Sequence, residues 1–268
     1  MKFSKKQIED FIKKIHSGEI NEHDLPEDLY HAIADYLKQG IYEGYGVNFN
    51  KLTKEINQKI ATDFDSSDLD LLSELRENIY MFSAAKTFQQ TKEMTEKLVD
   101  ENGTVRSFSD FKKDAEDIFK TYNKDWLKSE HTTAIGQSQS AVKWNSIEKQ
   151  KDILPILVYD TIGDACDICE PLNGITAKVD DPIWNTIMPL NHFNCRCILQ
   201  QSAEADLTPD DEKESSFNSA TKNMNAVFKM NAGKDGYVFN KDHPYFSVSK
   251  DEKGFAQKNF NLPIPKKD

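Results

Sequence analysis

No run of about 18 consecutive apolar residues occurs in the 268-residue chain, which excludes a membrane-spanning helix. The N-terminal MKFSKKQIEDFIKKI alternates charge with apolar residues and lacks an uninterrupted hydrophobic segment, so no signal peptide is expected and the expected folding compartment is a reducing cytosol. There is no internal repeat and no low-complexity tract. A Gly-rich phosphate loop, a G-x-S-x-G elbow and an HExxH helix are also missing, which removes the commonest nucleotide, serine-hydrolase and zincin chemistries. Hydrophobic residues make up 38% of the chain and mean hydropathy is -0.68, so a core is available but much of the chain must be surface, linker or partner-facing. The net charge of -11 argues against nonspecific binding to duplex DNA, which needs a field attractive to phosphate. Cysteine is scarce, with four in total, and all four fall in one short window at Cys166, Cys169, Cys195 and Cys197, with His192 beside the second pair.

The first 150 residues carry helical periodicity. Ser4 and Gln7 form a capping box ahead of Ile8, Phe11, Ile12 and Ile15, with Gly18 as the stop. Pro26 opens a second helix through Leu29, Ile33 and Leu37 that should end near Gly40, where GIYEGYG reads as a glycine-punctuated bend. Ser67 or Asp68 can cap a long third helix through Leu72, Leu75, Ile79, Phe82 and Phe88 towards Leu98, ended by DENG at 100–103. Ser107 with Asp110 starts a fourth through Phe111, Ile118, Phe119, Tyr122 and Trp126, continuing to Ile147. Trp126 and Trp144 read as core residues of this helix, and His131 as a helix-surface or core histidine. Two long helices joined by a short turn predict an antiparallel hairpin.

The character changes at Lys151. ILPILVYDT (153–161) is a β-branched apolar run that predicts a strand, and CRCILQQ (195–201) predicts a second. Pairing them antiparallel would bring the two Cys segments together. AEADLTPDDEKESS (203–216) reads as an acidic linker or exposed loop with a helical turn after it. In the last forty residues the aromatics Phe239, Tyr245, Phe246, Phe255 and Phe260 follow neither helical nor strand periodicity. Such a segment lies against another surface, its own or a partner's.

C-x2-C at 166–169 is a knuckle whose tight turn places two sulfurs on one side, and H-x2-C-x-C at 192–197 supplies further donors. If residues 195–197 are extended, Cys195 and Cys197 point to one face. Cys166 and Cys169 with two of His192, Cys195 and Cys197 fit a closed tetrahedral zinc site, and spacing alone does not choose the second pair. The competing readings are small buried hydrophobes, a redox pair without the βαβ surroundings of a thioredoxin, and disulfides formed late. A deaminase-type catalytic zinc is disfavoured, because no H-x-E precedes Cys166. Arg196 reads as a clamp to a neighbour or a solvated charge, and Asp160, Asp164 and Asp167 as solvated or turn-forming.

The segment Tyr159–Leu199 resembles the C-terminal module of the phage Mu F-like head-morphogenesis proteins, the minor head proteins of tailed bacteriophages. The resemblance rests on a strand ending in DT, C-x2-C, LNG (172–174), a proline-bearing loop and HFNCRC, where Phe193 replaces the proline of the family's H-P-N-C-R-C. Upstream, FSAAKTFQQTKEM, VDENGTVRSFSDFKKDAEDI and AIGQSQSAVKWN resemble the helical portion of such proteins from Bacteroidetes-type phages and prophages. The tail FNKDHPYFSVSKDEKGFAQKNFNLPIP resembles that subgroup as well. The resemblance implies a minor capsid protein, not an enzyme, that binds the portal and acts in procapsid assembly or in DNA packaging and ejection. It further implies contact with the major capsid or scaffolding protein and with DNA near the portal, several copies per particle, and residence in the virion after assembly in the host cytoplasm.

The expected fold is α+β: a mainly helical N-terminal region (1–66), a long helical hairpin (67–150), a small Cys/His β module (151–202), and an acidic linker with an aromatic C-terminal extension (203–268). The metal-site residues are Cys166, Cys169, His192, Cys195 and Cys197, with zinc as the structural ion. The residues expected to face partners are Arg196, Tyr245, Phe246, Phe255 and Phe260. Two other functions compete: a metal-dependent toxin-like enzyme, which would need a nucleophile–base pair that the tail lacks, and a zinc-ribbon nucleic-acid binder, for which Lys234, Lys241, Lys250, Lys253 and Lys258 leave the tail locally basic.

Overall fold

A computed structural model describes residues 3–46, 65–162 and 166–265. The longer helices among the described residues are α1 (Lys5–His16), α2 (Glu27–Gly44), α3 (Ser66–Glu96), α4 (Phe108–Lys120), which runs through a π-helical segment (Thr121–Trp126) into α5 (Leu127–Gln150), and, after the strands, α6 (Asp210–Asn223). The strands are β1 (Ile156–Asp160), β2 (Thr176–Lys178) and β3 (Ile198–Ser202). The chain is α+β, as its patterning predicts, and none of the described helices is long and apolar enough to cross a membrane. The described residues group into two compact units. The first draws on residues 3–39, 79–131 and 244–265, and the second on 40–46, 65–78, 132–162 and 166–243. These units cut across the four consecutive regions of differing sequence character.

In the first unit, α1 starts as its capping box demands. Ser4 Oγ accepts from the Gln7 backbone N–H at 3.2 Å and Gln7 Oε1 accepts from the Ser4 N–H at 3.0 Å. Ile12 and Ile15 are fully buried, and α1 packs against α4, with Phe3 and Phe11 meeting Phe119 edge-on. α3 is buried on all sides from Phe82 to Phe88, which makes it the central helix of this unit. It runs antiparallel to the chain that returns past it, so Gln90 meets Asn123 and Lys86 meets Glu130. The C-terminal residues lie along α3: Gln89 donates to the carbonyls of Tyr245 and Ser247, and Lys92 pairs with Glu252 at 3.0 Å. Phe260 stacks on Phe88 with ring centroids 4.7 Å apart. It is seated by three consecutive left-handed residues, Asn259, Phe260 and Asn261, with φ of 51°, 54° and 62°.

In the second unit, Asp65 caps α3. Its Oδ1 accepts the Asp68 N–H at 3.1 Å while Asp68 Oδ2 accepts the Asp65 N–H at 3.2 Å. The cap therefore lies two or three residues before the positions expected, because the reciprocal carboxylate pair outcompetes Ser67. Lys149 on α5 reaches both carboxylates, 2.8 Å from Asp65 and 3.0 Å from Asp68. The expected bend at 40–46 is corrected: α2 continues to Gly44, since Ile41, Tyr42 and Tyr45 extend its buried face. Gly44 serves close approach instead of a turn, because a Cβ there would stand 2.6 Å from Ser138 Cβ and 2.8 Å from the Ile135 carbonyl oxygen.

The sheet has the order β2-β1-β3 with both pairings antiparallel. β1 and β3 pair in the register Leu157–Gln201 and Tyr159–Leu199, so Leu157, Tyr159 and Leu199 enter one core with Trp144, Trp184 and Phe228. The β2 strand is too short to signal itself by alternation. The stretch expected as linker is partly helical: α6 begins at Asp210 and buries Ala220. Its first turn holds Asp210, Asp211 and Glu212, where acidic side chains suit the positive end of the helix.

Candidate metal centre

The two Cys segments lie in loops that β1 and β3 bring together. The knuckle is a turn in which the Cys169 and Glu170 N–H groups both bond the Cys166 carbonyl at 2.9 Å. It is anchored behind by Leu172, which is fully buried, and by Asn173, whose Oδ1 accepts from Thr161 Oγ1 at 2.9 Å. Gly174 then takes φ of 80° and bonds its N–H to the Tyr159 carbonyl at 2.8 Å. DT and LNG are thus two sides of one clamp. The second loop turns at His192–Cys195, closed by the Cys195 N–H on the His192 carbonyl, with Asn194 in the left-handed region at φ of 60°. Phe193 is exposed and meets Phe228 edge-on at 4.9 Å.

All five expected ligands converge in two overlapping groups. The donor atoms of Cys169, Cys195 and Cys197 lie within 4.8 Å of one another, and so do those of Cys166, Cys169 and His192. Cys169, buried, belongs to both. Its Sγ is 3.9 Å from Cys195 Sγ, and a tetrahedral zinc with bonds of about 2.3 Å separates its sulfurs by about 3.8 Å. The Cys169–Cys195 spacing fits such an ion, and all four cysteines are free. The His192 ring faces a carbonyl through Nδ1, 2.9 Å from the Phe193 oxygen. A carbonyl only accepts, so Nδ1 is the donor there and Nε2 is the nitrogen left to face a ligand position.

Electrostatics support shared ionisation. Hydrogen bonds from Cys169 and Cys197 pull the Cys195 thiol well below its ordinary range. The same contacts with Cys195 and Cys197 push Cys169 up. For Cys197, the contact with Cys169 pulls downward, but Cys195 and burial outweigh it and leave the thiol at about 11. A cation bound among three such sulfurs would take the place of their protons.

Two supporting residues carry no signal in the sequence. The Tyr159 hydroxyl donates to Cys169 Sγ at 3.6 Å, and Asn191 Nδ2 donates to that hydroxyl at 2.8 Å. Burial, then the neighbouring cysteine charge, pushes the Tyr159 phenol up and keeps it a donor. Their only cue was adjacency: Asn191 precedes His192 and Tyr159 lies on the strand leading to the knuckle.

The remaining expected residues are dispersed. Arg196 is exposed between the two cysteines and, with Lys143, lines a cavity of about 530 Å3 that Cys195 and Cys197 also border. Tyr245 and Phe260 are buried against their own chain, Phe246 and Phe255 half-buried. Asp160 is turn-forming, its Oδ1 accepting the Ile162 N–H at 2.9 Å, and Asp164 lies outside the described residues. Trp126 is a correction: it is 45% exposed, because it ends the π segment and the wider turn carries it off the buried face that Trp144 keeps.

A helical body joined to a small antiparallel sheet whose loops gather four cysteines and a histidine defines an α+β protein with a thiol-rich candidate metal centre. The family model described as Phage Mu protein F like protein matches residues 31–200, well over half of the chain and the whole of the Cys/His loops. This chain belongs to that family, a family of structural proteins of phage head morphogenesis, which places it among virion proteins that contact other phage structural proteins. No curated protein and no solved structure matches it.

Proposed function

We propose that this chain is a minor head protein that docks on the portal and acts in procapsid assembly or in DNA packaging and ejection, with one zinc ion closing its β module. The observation that carries the reading is that the family-matched segment ends on the sheet whose two loops gather all four cysteines and His192. Cys169, Cys195 and Cys197 would supply three thiolates, and the fourth ligand is drawn from Cys166 and His192. Zinc would act as a cross-link between loops in a module with a small core, and with sulfur-rich closed ligation it would leave no position for substrate. Arg196 and the half-exposed rings of Phe246 and Phe255 are the proposed partner contacts. Tyr245 and Phe260 hold the segment that presents those rings.

The test is co-expression with the portal protein of the same phage or prophage, followed by native mass spectrometry. A defined complex with a mass excess of about one zinc per chain is expected. Two folded proteins that do not associate would sink the portal reading. A complex without metal, unaltered by Cys169→Ser, would sink the zinc reading alone.

A further inference from the structure

In the first unit a groove of about 850 Å3 is bounded by α1 on one side and by α4, the π segment and the start of α5 on the other. Phe3, Ile8, Phe119 and Leu127 give it an apolar floor. Its second wall is a row of side chains four residues apart: Lys112, Glu116, Lys120, Lys124 and Lys128. In a regular α-helix each step of four residues overshoots a full turn by about 40°, so a row of this length would wind out of any single groove. Here Thr121–Trp126 is π-helical, and its wider turn reverses that drift midway. The whole row consequently faces one groove. The π turn thus has a consequence for the surface, and such turns concentrate at functional sites.

Only part of the charge of this row is used internally. Lys112 is engaged by Glu9 at 3.6 Å and Glu116 at 3.7 Å. Lys5, Lys120 and Lys124 form no ion pair with the described residues, on a chain whose net charge is -11. A cationic row above an apolar floor matches an acidic amphipathic polypeptide, with carboxylates along the lysines and apolar side chains on the floor. Duplex DNA matches the row but not the floor. We propose that this groove is the docking site for an acidic amphipathic segment of another protein. The proposal concerns the first unit alone and stands whether or not the Cys/His loops hold zinc.

The test uses the intact chain and a fluorescein-labelled peptide with glutamates along one face and leucines along the other, read by anisotropy. Saturable binding that weakens with salt is expected, reduced about tenfold or more in K120E/K124E and retained in K120R/K124R. Both lysines are exposed, so an unchanged melting curve certifies the fold of the variants. Three results would overturn the proposal. One is equal binding of the same peptide with lysines in place of glutamates. Another is displacement of the peptide by duplex DNA that binds more tightly. The last is self-association of the chain that K120E/K124E abolishes while the peptide binds neither form, which would make the groove an interface between copies.

Discussion

Lys86 Nζ lies 2.8 Å from Glu130 Oε1, with the lysine side chain fully buried and the glutamate 8% exposed, and the Tyr245 hydroxyl completes a triangle with them. The ammonium donates to that hydroxyl at 3.2 Å, and the hydroxyl donates to the carboxylate at 3.1 Å. The rings of Tyr122 and Tyr245 lie 5.3 and 4.9 Å from the ammonium. Burial drives the lysine down and the glutamate up, so each charge depends on the other. Such a pair adds little net stability over an apolar replacement, but breaking it strands a buried charge. Glu130→Ala should therefore lower stability by about 3–5 kcal/mol, and Lys86→Met with Glu130→Leu should recover most of the loss. Urea titration checks this; equal losses in the single and double variants would show that the pair is not the cause.

Glu252 gives the C-terminal segment a pH dependence. Burial pushes its carboxyl up, but hydrogen bonds from Ser249 Oγ at 2.7 Å and Lys92 at 3.0 Å, with the Ser249 N–H at 3.1 Å, outweigh that and hold it below its ordinary value of 4.5. A carboxylate with a lowered folded pKa contributes stability above its unfolded pKa and loses it as pH falls through the folded one. Hydrogen-exchange protection at 249–256, corrected for the intrinsic pH dependence of exchange, should fall on acidification below about 4.5, and Glu252→Gln should flatten that response. Parallel acid profiles for the two proteins would assign the effect elsewhere.

Gly233 tests the core of the second unit. A Cβ at this position would lie 2.5 Å from Trp144 Cβ and 2.9 Å from its ring, and Trp144 is too well packed to retreat. Gly233→Ala should cost about 1–3 kcal/mol, while Gly254→Ala, with nothing within 4 Å, should be nearly silent. Thermal unfolding of the two variants makes the comparison; a neutral Gly233→Ala would mean that the turn slides away from Trp144.

What could be read in advance was whatever depends on local chemistry. The Ser4–Gln7 box, the Ser107 cap and the β1–β3 pairing all follow from neighbouring residues and hydrophobic pattern. What failed depended on distant surfaces. Gly40 to Gly46 has the composition of a bend, yet α5 rewards a straight helix that can approach at Gly44. Nothing in TYNKDW announces a π turn, because its cause lies in packing on both sides of it. The cysteines and His192 were legible as donors through spacing, whereas Tyr159 and Asn191 look like ordinary strand and loop residues until the fold sets them behind Cys169.

Those two residues supply the most direct probe of the metal reading. Tyr159→Phe preserves the shape of a fully buried ring while removing the donor to Cys169 Sγ and the acceptor for Asn191. Partners behind a ligand typically tune metal affinity by about 10–100-fold, and one buried hydrogen bond is worth about 1 kcal/mol of stability. Competition against a chromogenic chelator should show zinc affinity in the variant weakened by at least about tenfold, with the far-ultraviolet spectrum unchanged. Cys169→Ser should weaken it further, because Cys169 belongs to both donor groups. If Tyr159→Phe lost stability but held zinc as tightly as the parent, the hydroxyl would be serving the core and not the sulfur. If neither variant altered zinc uptake, the ion would have to be held away from Cys169, and the convergence of the two loops would need another cause.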